Sequence, residues 1–294
     1  MSQLILLIGS NGQVGQELQQ ILSTYADVIS VARPTVDLAQ PDTICSVIRE
    51  KQPQIIINAA AYTAVDQAER EPELAKVINA TAPKILAQEA KKQQAFLIHL
   101  STDYVFDGKN CRPYQEEDQT NPLSIYGQTK LAGEQAIRDT YNHHLILRTA
   151  WVYGTFGKSN FVKTMLRLGG EREEIRVVGD QIGSPTWARD IAKTIAQLIP
   201  LLNPEISGTY HYTNSGVASW YDFAVAIFEE AQKLGFPLKI QRVVPISTPE
   251  YPTPAHRPSY SVLACAKIAK ILGNHAPHWR QRLRKMLKEL AVSS

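Results

Sequence analysis

Leu4-Ile5-Leu6-Leu7-Ile8-Gly9-Ser10-Asn11-Gly12-Gln13-Val14-Gly15 decides how the rest of the chain is read. The unbroken apolar run Leu4–Ile8 has the length of a buried strand. Glycines at 9, 12 and 15 follow with G-x-x-G-x-x-G spacing. This is one residue longer at the first step than the dinucleotide-binding fingerprint. Val14, Leu18, Ile21 and Leu22 then share one face of a helix from Gln13 to Leu22. Strand, glycine loop and helix in this order make a phosphate cradle. Gly9 permits the tight turn, Gly12 lets backbone approach a pyrophosphate, and Gly15 allows helix and strand to pack closely. The helix N-terminus adds unpaired N–H groups and partial positive charge. Asn11, Gln13 and Val14 lie in the same cradle.

Downstream, short apolar runs alternate with amphipathic stretches. Val28–Ala32, Ile55–Ile57, Phe96–Leu100 and Leu145–Thr149 read as further strands. Helices are expected around Thr43–Lys51 and over Glu73–Lys92, where Pro83 marks an irregularity. Strands separated by helices imply right-handed β-α-β units. The fold class expected is α/β, a Rossmann-type doubly wound parallel sheet covered on both faces. Beyond Trp151 the pattern loosens, with helices expected at Arg189–Leu198, Trp220–Leu234 and near Ala264–Leu272. The stretch with Pro245, Pro249, Pro252, Pro254 and Pro258 reads as a loop that wraps something. The organisation is a dinucleotide-binding domain over residues 1–150 and a smaller mixed α/β substrate lobe over 151–294, partly interleaved with the first.

Composition narrows the class. The chain has 294 residues, a net charge of +3 and 44% hydrophobic residues, an ordinary globular balance. Cys45, Cys111 and Cys265 are few and far apart, which excludes a disulfide framework and makes the cytoplasm the default compartment. No apolar stretch approaches the roughly 20 residues of a membrane span. The charge gives no case for nucleic acid. Basic Arg280, Arg282, Arg284, Lys285 and Lys288 share a terminal helix with Trp279, Leu283, Met286, Leu287 and Leu290. Its apolar face should dock and its basic face meet solvent. The histidines show no H-E-x-x-H metal pattern.

The second strand ends Val31-Ala32-Arg33. An acid there would accept the ribose 2′-OH of NADH. Arg33 suits a 2′-phosphate instead, so NADPH is the favoured cofactor and NADH the second choice. Asp37 and Leu38 are expected beside the adenine. Ala59, Ala60 and Ala61 end the third strand with small side chains that leave room for a cofactor. Tyr126 and Lys130 stand at i and i+4 of a helix, on one face. An ammonium near a phenol lowers the phenol's pKa, which makes Tyr126 a general acid for a ketone becoming an alcohol. Thr102 follows the fourth strand, at the edge where ligands bind open α/β sheets, and its hydroxyl can hold the carbonyl oxygen.

These residues resemble the extended short-chain dehydrogenase/reductases, and within them the family of the dTDP-4-dehydrorhamnose reductases. The resemblance covers nearly the whole chain. It rests on Gly9–Gly15, Asn58–Asp66 (NAAAYTAVD), Ser101–Phe106 (STDYVF) and Tyr126–Glu134 (YGQTKLAGE). It continues through Arg148–Gly154, Asn160-Phe161, Asp180–Thr186 and Arg257-Pro258. It implies NADPH-dependent reduction of the C4 ketone of dTDP-4-dehydro-6-deoxy-L-mannose to dTDP-L-rhamnose. Tyr126 would donate the proton, Lys130 would tune it and hold the nicotinamide ribose, and Thr102 would orient the ketone. Cofactor contacts would extend over Ala59–Thr63, including Tyr62 and Thr63. Asp103, Tyr104 and Trp151 would meet the sugar nucleotide, and Arg257 would clamp its diphosphate.

One departure stands out. Some members of the family hold Mg2+ between carboxylates at a dimer contact. The matching region here reads Trp187-Ala188-Arg189-Asp190, with an arginine at or beside the acid, and Glu289 is a remaining carboxylate. No metal ligand is therefore assigned, and a homodimer is left open. Two other readings share these residues. One is a reductase of another nucleotide 4-keto sugar, since pocket selectivity rests on a few contacts. The other is a non-catalytic regulatory subunit like that of methionine adenosyltransferase, which the presence of Tyr126, Lys130 and Thr102 disfavours.

Overall fold

Alternation along the apolar runs builds the core. In β1 (Leu4–Ile8), Ile5 and Leu7 face one side of the sheet and Leu6 and Ile8 the other. The computed structural model describes residues 3–24 and 26–293. The first half continues with α1 (Gln13–Leu22), β2 (Asp27–Val31), α2 (Pro41–Lys51), β3 (Ile55–Asn58), α3 (Val65–Ala68), α4 (Pro72–Lys76), α5 (Ala82–Gln93), β4 (Phe96–Thr102), α6 (Ile125–Thr140) and β5 (His144–Thr149). The second half holds β6 (Val152–Tyr153), α7 (Phe161–Glu171), β7 (Glu174–Val178), β8 (Ile182–Gly183), β9 (Thr186–Trp187), α8 (Ala188–Leu198), β10 (Gly208–His211), β11 (Ala218–Ser219), α9 (Trp220–Lys233), β12 (Arg242–Ile246), α10 (Ala266–Leu272) and α11 (Trp279–Ser293).

The main sheet has six strands in the order β10-β5-β4-β3-β1-β2, all parallel. The chain runs from β1 outward to β2 and then returns to β3 on the other side of β1. That reversal is a topological switch point, where open α/β sheets bind ligands. One face is covered by α1, α8 and α10, the other by α2, α5 and part of α6. This is the Rossmann-like class expected. The sixth strand was not expected: β10 comes from the second half and pairs with β5. A separate core joins α7, α9 and α11 around Phe223, Trp187 and Leu283. Among the described residues no helix is long and apolar enough to cross a membrane.

Three expectations need correction. Pro245 lies in strand β12, paired in parallel with β7, not in a loop. A two-stranded sheet consists only of edges, and an edge strand tolerates a missing amide hydrogen. The expected long helix over 73–92 is interrupted by a π turn at Val77–Thr81, directly before Pro83. Proline lacks an amide hydrogen and crowds the carbonyl four residues back, here that of Asn79. The freed Asn79 carbonyl approaches α6 so closely that a Cβ on Gly133 would stand 2.1 Å from it. The basic side of α11 is also less solvated than expected: Arg284 pairs with Glu230, Arg280 with Glu229 and Glu230, and Arg282 with buried Asp190.

Candidate active site

The cradle at the end of β1 is held by backbone. Gly9 has φ +86°, and a Cβ there would stand 2.7 Å from the Ala60 nitrogen. A Cβ on Gly15 would stand 2.1 Å from the Gly9 carbonyl oxygen, so its close partner is the loop itself. The Gly9 and Ser10 amides donate to the Val31 carbonyl at 2.9 and 3.2 Å, which ties the loop to the end of β2. Gly12 caps α1 without a side-chain bond. The first-turn amides of Gln13 and Val14 have no acceptor within the helix. A cradle with no side chain across it and free amides fits a dinucleotide pyrophosphate.

The remaining expected cofactor residues surround it unevenly. Arg33 is exposed just past β2. Asp37 accepts the Ala39 amide at 3.0 Å, and Leu38 is buried under α2. Asn11 accepts from the Gln16 side chain through its carbonyl. Gln13 accepts from Asn160 at 2.8 Å, so its side chain joins the two halves. Ala59, Ala60 and Ala61 are half-buried and Thr63 is exposed beyond β3. The Tyr62 hydroxyl donates to Glu71 at 2.5 Å.

The catalytic candidates meet at the carboxyl ends of β4 and β5. Ser124 caps α6 by accepting the Gly127 amide at 3.2 Å, and Glu69 accepts the Ile125 amide at 2.8 Å. These bonds fix the first turn, and Tyr126 stands in it. Thr102 is buried at the end of β4. Its hydroxyl donates to Asp103 at 3.1 Å and accepts the Tyr104 amide at 3.2 Å. The Tyr104 ring meets Tyr126 edge-on at 5.4 Å. Burial raises the Tyr126 phenol to about 12, against the pull of Thr102. Burial likewise raises the Asp103 carboxyl to about 6, opposed by the Ser261 and Thr102 hydroxyls.

Lys130 is held against β4. Its amine nitrogen donates to the Leu100 carbonyl at 2.7 Å and lies 3.2 Å from His99 Nε2. Burial lowers its pKa to about 8, with Glu134 opposing.

Trp151 and Arg257 each have a partner within the chain. Trp151 stacks flat on Trp220, ring centroids 3.5 Å apart and planes within 2°. One face of the expected sugar wall is thus covered. Its φ of 49° lies in the left-handed region, which bulky residues rarely adopt. The Arg257 guanidinium grips Asp66 with both terminal nitrogens, at 3.1 and 2.8 Å, and Thr253 at 2.6 Å. Its guanidinium is thus paired with a half-exposed carboxylate.

The place where the family would hold Mg2+ does not fit a divalent cation. Arg189 donates to Glu17 at 2.7 Å and to Glu289, so a guanidinium sits between the two carboxylates. Among the described residues no cluster of His, Cys, Asp or Glu is arranged to hold a metal.

Two residues near the centre escaped sequence reading. His99 and Asn58 are both fully buried, side chain to side chain at 3.0 Å. A histidine inside the apolar run Phe96–Leu100 was the available signal.

Comparison with known proteins accords with this geometry. Residues 2–292 match the family model for the RmlD substrate binding domain. The dTDP-4-dehydrorhamnose reductase of Escherichia coli K12 is 45% identical, with 99% of each chain covered. A crystal structure of the Bacillus anthracis str. Ames dTDP-4-dehydrorhamnose reductase in complex with NADP superposes with a TM-score of 0.91, at 40% identity over 98% of this chain and 100% of that one. The Thermus thermophilus UDP-glucose 4-epimerase, 18% identical over 99% of this chain and 100% of that one, has a TM-score of 0.81 and shares the fold. The chain belongs to the dTDP-4-dehydrorhamnose reductase family.

Proposed function

We propose that the protein reduces the C4 ketone of dTDP-4-dehydro-6-deoxy-L-mannose to dTDP-L-rhamnose with NADPH. The reading is carried by the placement of Thr102 at the end of β4, where it accepts the Tyr104 amide at 3.2 Å, beside Tyr126, which meets the Tyr104 ring edge-on at 5.4 Å. The family, and the NADP in its Bacillus anthracis member, support the substrate and cofactor. Gly9, Gly12, Gly15 and the amides of α1 would hold the pyrophosphate, Arg33 the 2′-phosphate and Lys130 the nicotinamide ribose. When bound, the dinucleotide supplies the hydride for C4. Thr102 and Tyr126 direct two hydroxyls at the ketone oxygen. With its pKa near 12, Tyr126 holds its proton at neutral pH. It gives that proton up as negative charge develops on the oxygen. Arg257, paired with Asp66 at 2.8 Å, would meet the diphosphate of the substrate. The three free cysteines suit a reducing, cytoplasmic setting.

Tyr126→Phe tests the assignment. Turnover should fall by roughly 10²–10⁴-fold, since the acid alone is removed. NADPH affinity, read by fluorescence titration, should stay within about twofold. Turnover near that of the unaltered protein would overturn the role given to Tyr126.

A further inference from the structure

His99 is a polar residue at 0% exposure in the middle of β4, and its two ring nitrogens have different neighbours. On one side stands Asn58. The Ala60 amide donates to Asn58 Oδ1 at 3.1 Å, and a backbone N–H can only donate. That fixes the Asn58 side chain, so its Nδ2 is the group 3.0 Å from His99 Nδ1. Nδ1 therefore accepts. Burial keeps the imidazole neutral, with a single N–H. The proton must then sit on Nε2, which faces Lys130 Nζ at 3.2 Å.

The consequence falls on the lysine. An uncharged amine can donate to the Leu100 carbonyl at 2.7 Å and accept from His99 Nε2–H with its lone pair, so both close contacts are hydrogen bonds. An ammonium has three donors and no acceptor, so it meets Nε2–H donor to donor. We propose that Asn58 and His99 are positioning residues that lock the histidine tautomer and thereby aim an N–H at Lys130 Nζ, favouring the uncharged amine. The effect on catalysis rests on the function proposed above; the tautomer does not.

Other titratable and charged groups lie on the elements that pack around Lys130. Tyr126 and Glu134 share its helix. Asp103 follows β4, and His144 and Arg148 lie on β5. Glu134 favours the ammonium, but its carboxylate is tied to Arg148 at 2.7 Å, to Arg138 at 3.1 Å and to Ser101 at 2.6 Å. Burial of Lys130 acts in the same direction as the histidine.

Asn58→Asp is the decisive variant. It is nearly isosteric, keeps an oxygen for the Ala60 amide, and turns the group facing His99 from donor to acceptor. The proton should move to Nδ1, leaving Nε2 to accept from the ammonium. Long-range proton–nitrogen NMR on the full chain reads the tautomer without turnover. The unaltered protein should show Nε2–H and Asn58→Asp should show Nδ1–H. The alkaline limb of kcat/KM should move up by about one pH unit. An Nδ1–H tautomer in the unaltered protein overturns the lock, whether or not the variant folds. A tautomer that flips while the alkaline limb stays fixed overturns the link to Lys130. Loss of the Tyr126 assignment, by contrast, would leave the NMR result unaffected.

Discussion

Tyr126 keeps its proton because it is buried, and Lys130 is inclined to lose one for the same reason. Desolvation disfavours whichever form carries charge, so it moves a phenol up and an ammonium down. The Y-x-x-x-K spacing told that the two share a helical face, and they do. It could not tell that Nζ would choose a carbonyl and a histidine from β4, since those partners are about thirty positions away. Arg33 is a case where position in sequence carries the argument. It stands exposed two residues beyond Val31, whose carbonyl anchors the glycine loop. If it meets a 2′-phosphate, Arg33→Ala should raise KM for NADPH about tenfold or more and leave KM for NADH within about twofold, the loss of one charge-assisted contact. Equal changes for both cofactors in steady-state assays would remove Arg33 from the cofactor site.

At the scale of elements, α6 is set by contacts at its start and middle. Ser124 and Glu69 take its first amides, and the Tyr104 carbonyl comes within 2.3 Å of where a Gly127 Cβ would stand. Further along, the π turn before Pro83 pushes the Asn79 carbonyl against Gly133. Asn79 also bonds the Tyr62 backbone through its side chain, at 2.9 and 3.1 Å. The turn therefore links the segment after β3 to the helix bearing Tyr126. Gly133→Ala puts a methyl group where the backbone cannot easily retreat. It should cost about 1–3 kcal/mol in denaturant melts, the usual range for overpacking. Unchanged stability would mean that α6 slides freely over the turn. Pro83 was visible in the sequence as an irregularity. The destination of the carbonyl it displaces was not, because that depends on where α6 docks.

The whole molecule is held together by pairs that no local pattern announces. Residues 208–211 complete the main sheet, and Arg148 links Glu134 on α6 to His211 on β10. Arg189 bridges Glu17 of α1 and Glu289 of α11, and Gln13 reaches Asn160. Removing one partner of a buried pair leaves an uncompensated charge, so these bridges bind the halves into one body. The glycine cradle, the parallel strands and the Thr102, Tyr126 and Lys130 set were legible because each is a short motif with its own periodicity or spacing. The sixth strand, the Arg257–Asp66 pair and the Trp151–Trp220 stack were not, since their partners lie far along the chain. In the proposed function, one edge of this sheet would serve hydride transfer to a sugar ketone. Incubating the protein with dTDP-4-dehydro-6-deoxy-L-mannose and NADPH deuterated at the transferable position tests that directly. The product should be dTDP-L-rhamnose with deuterium on C4, read by NMR. No turnover, or a product without deuterium at that carbon, would contradict it.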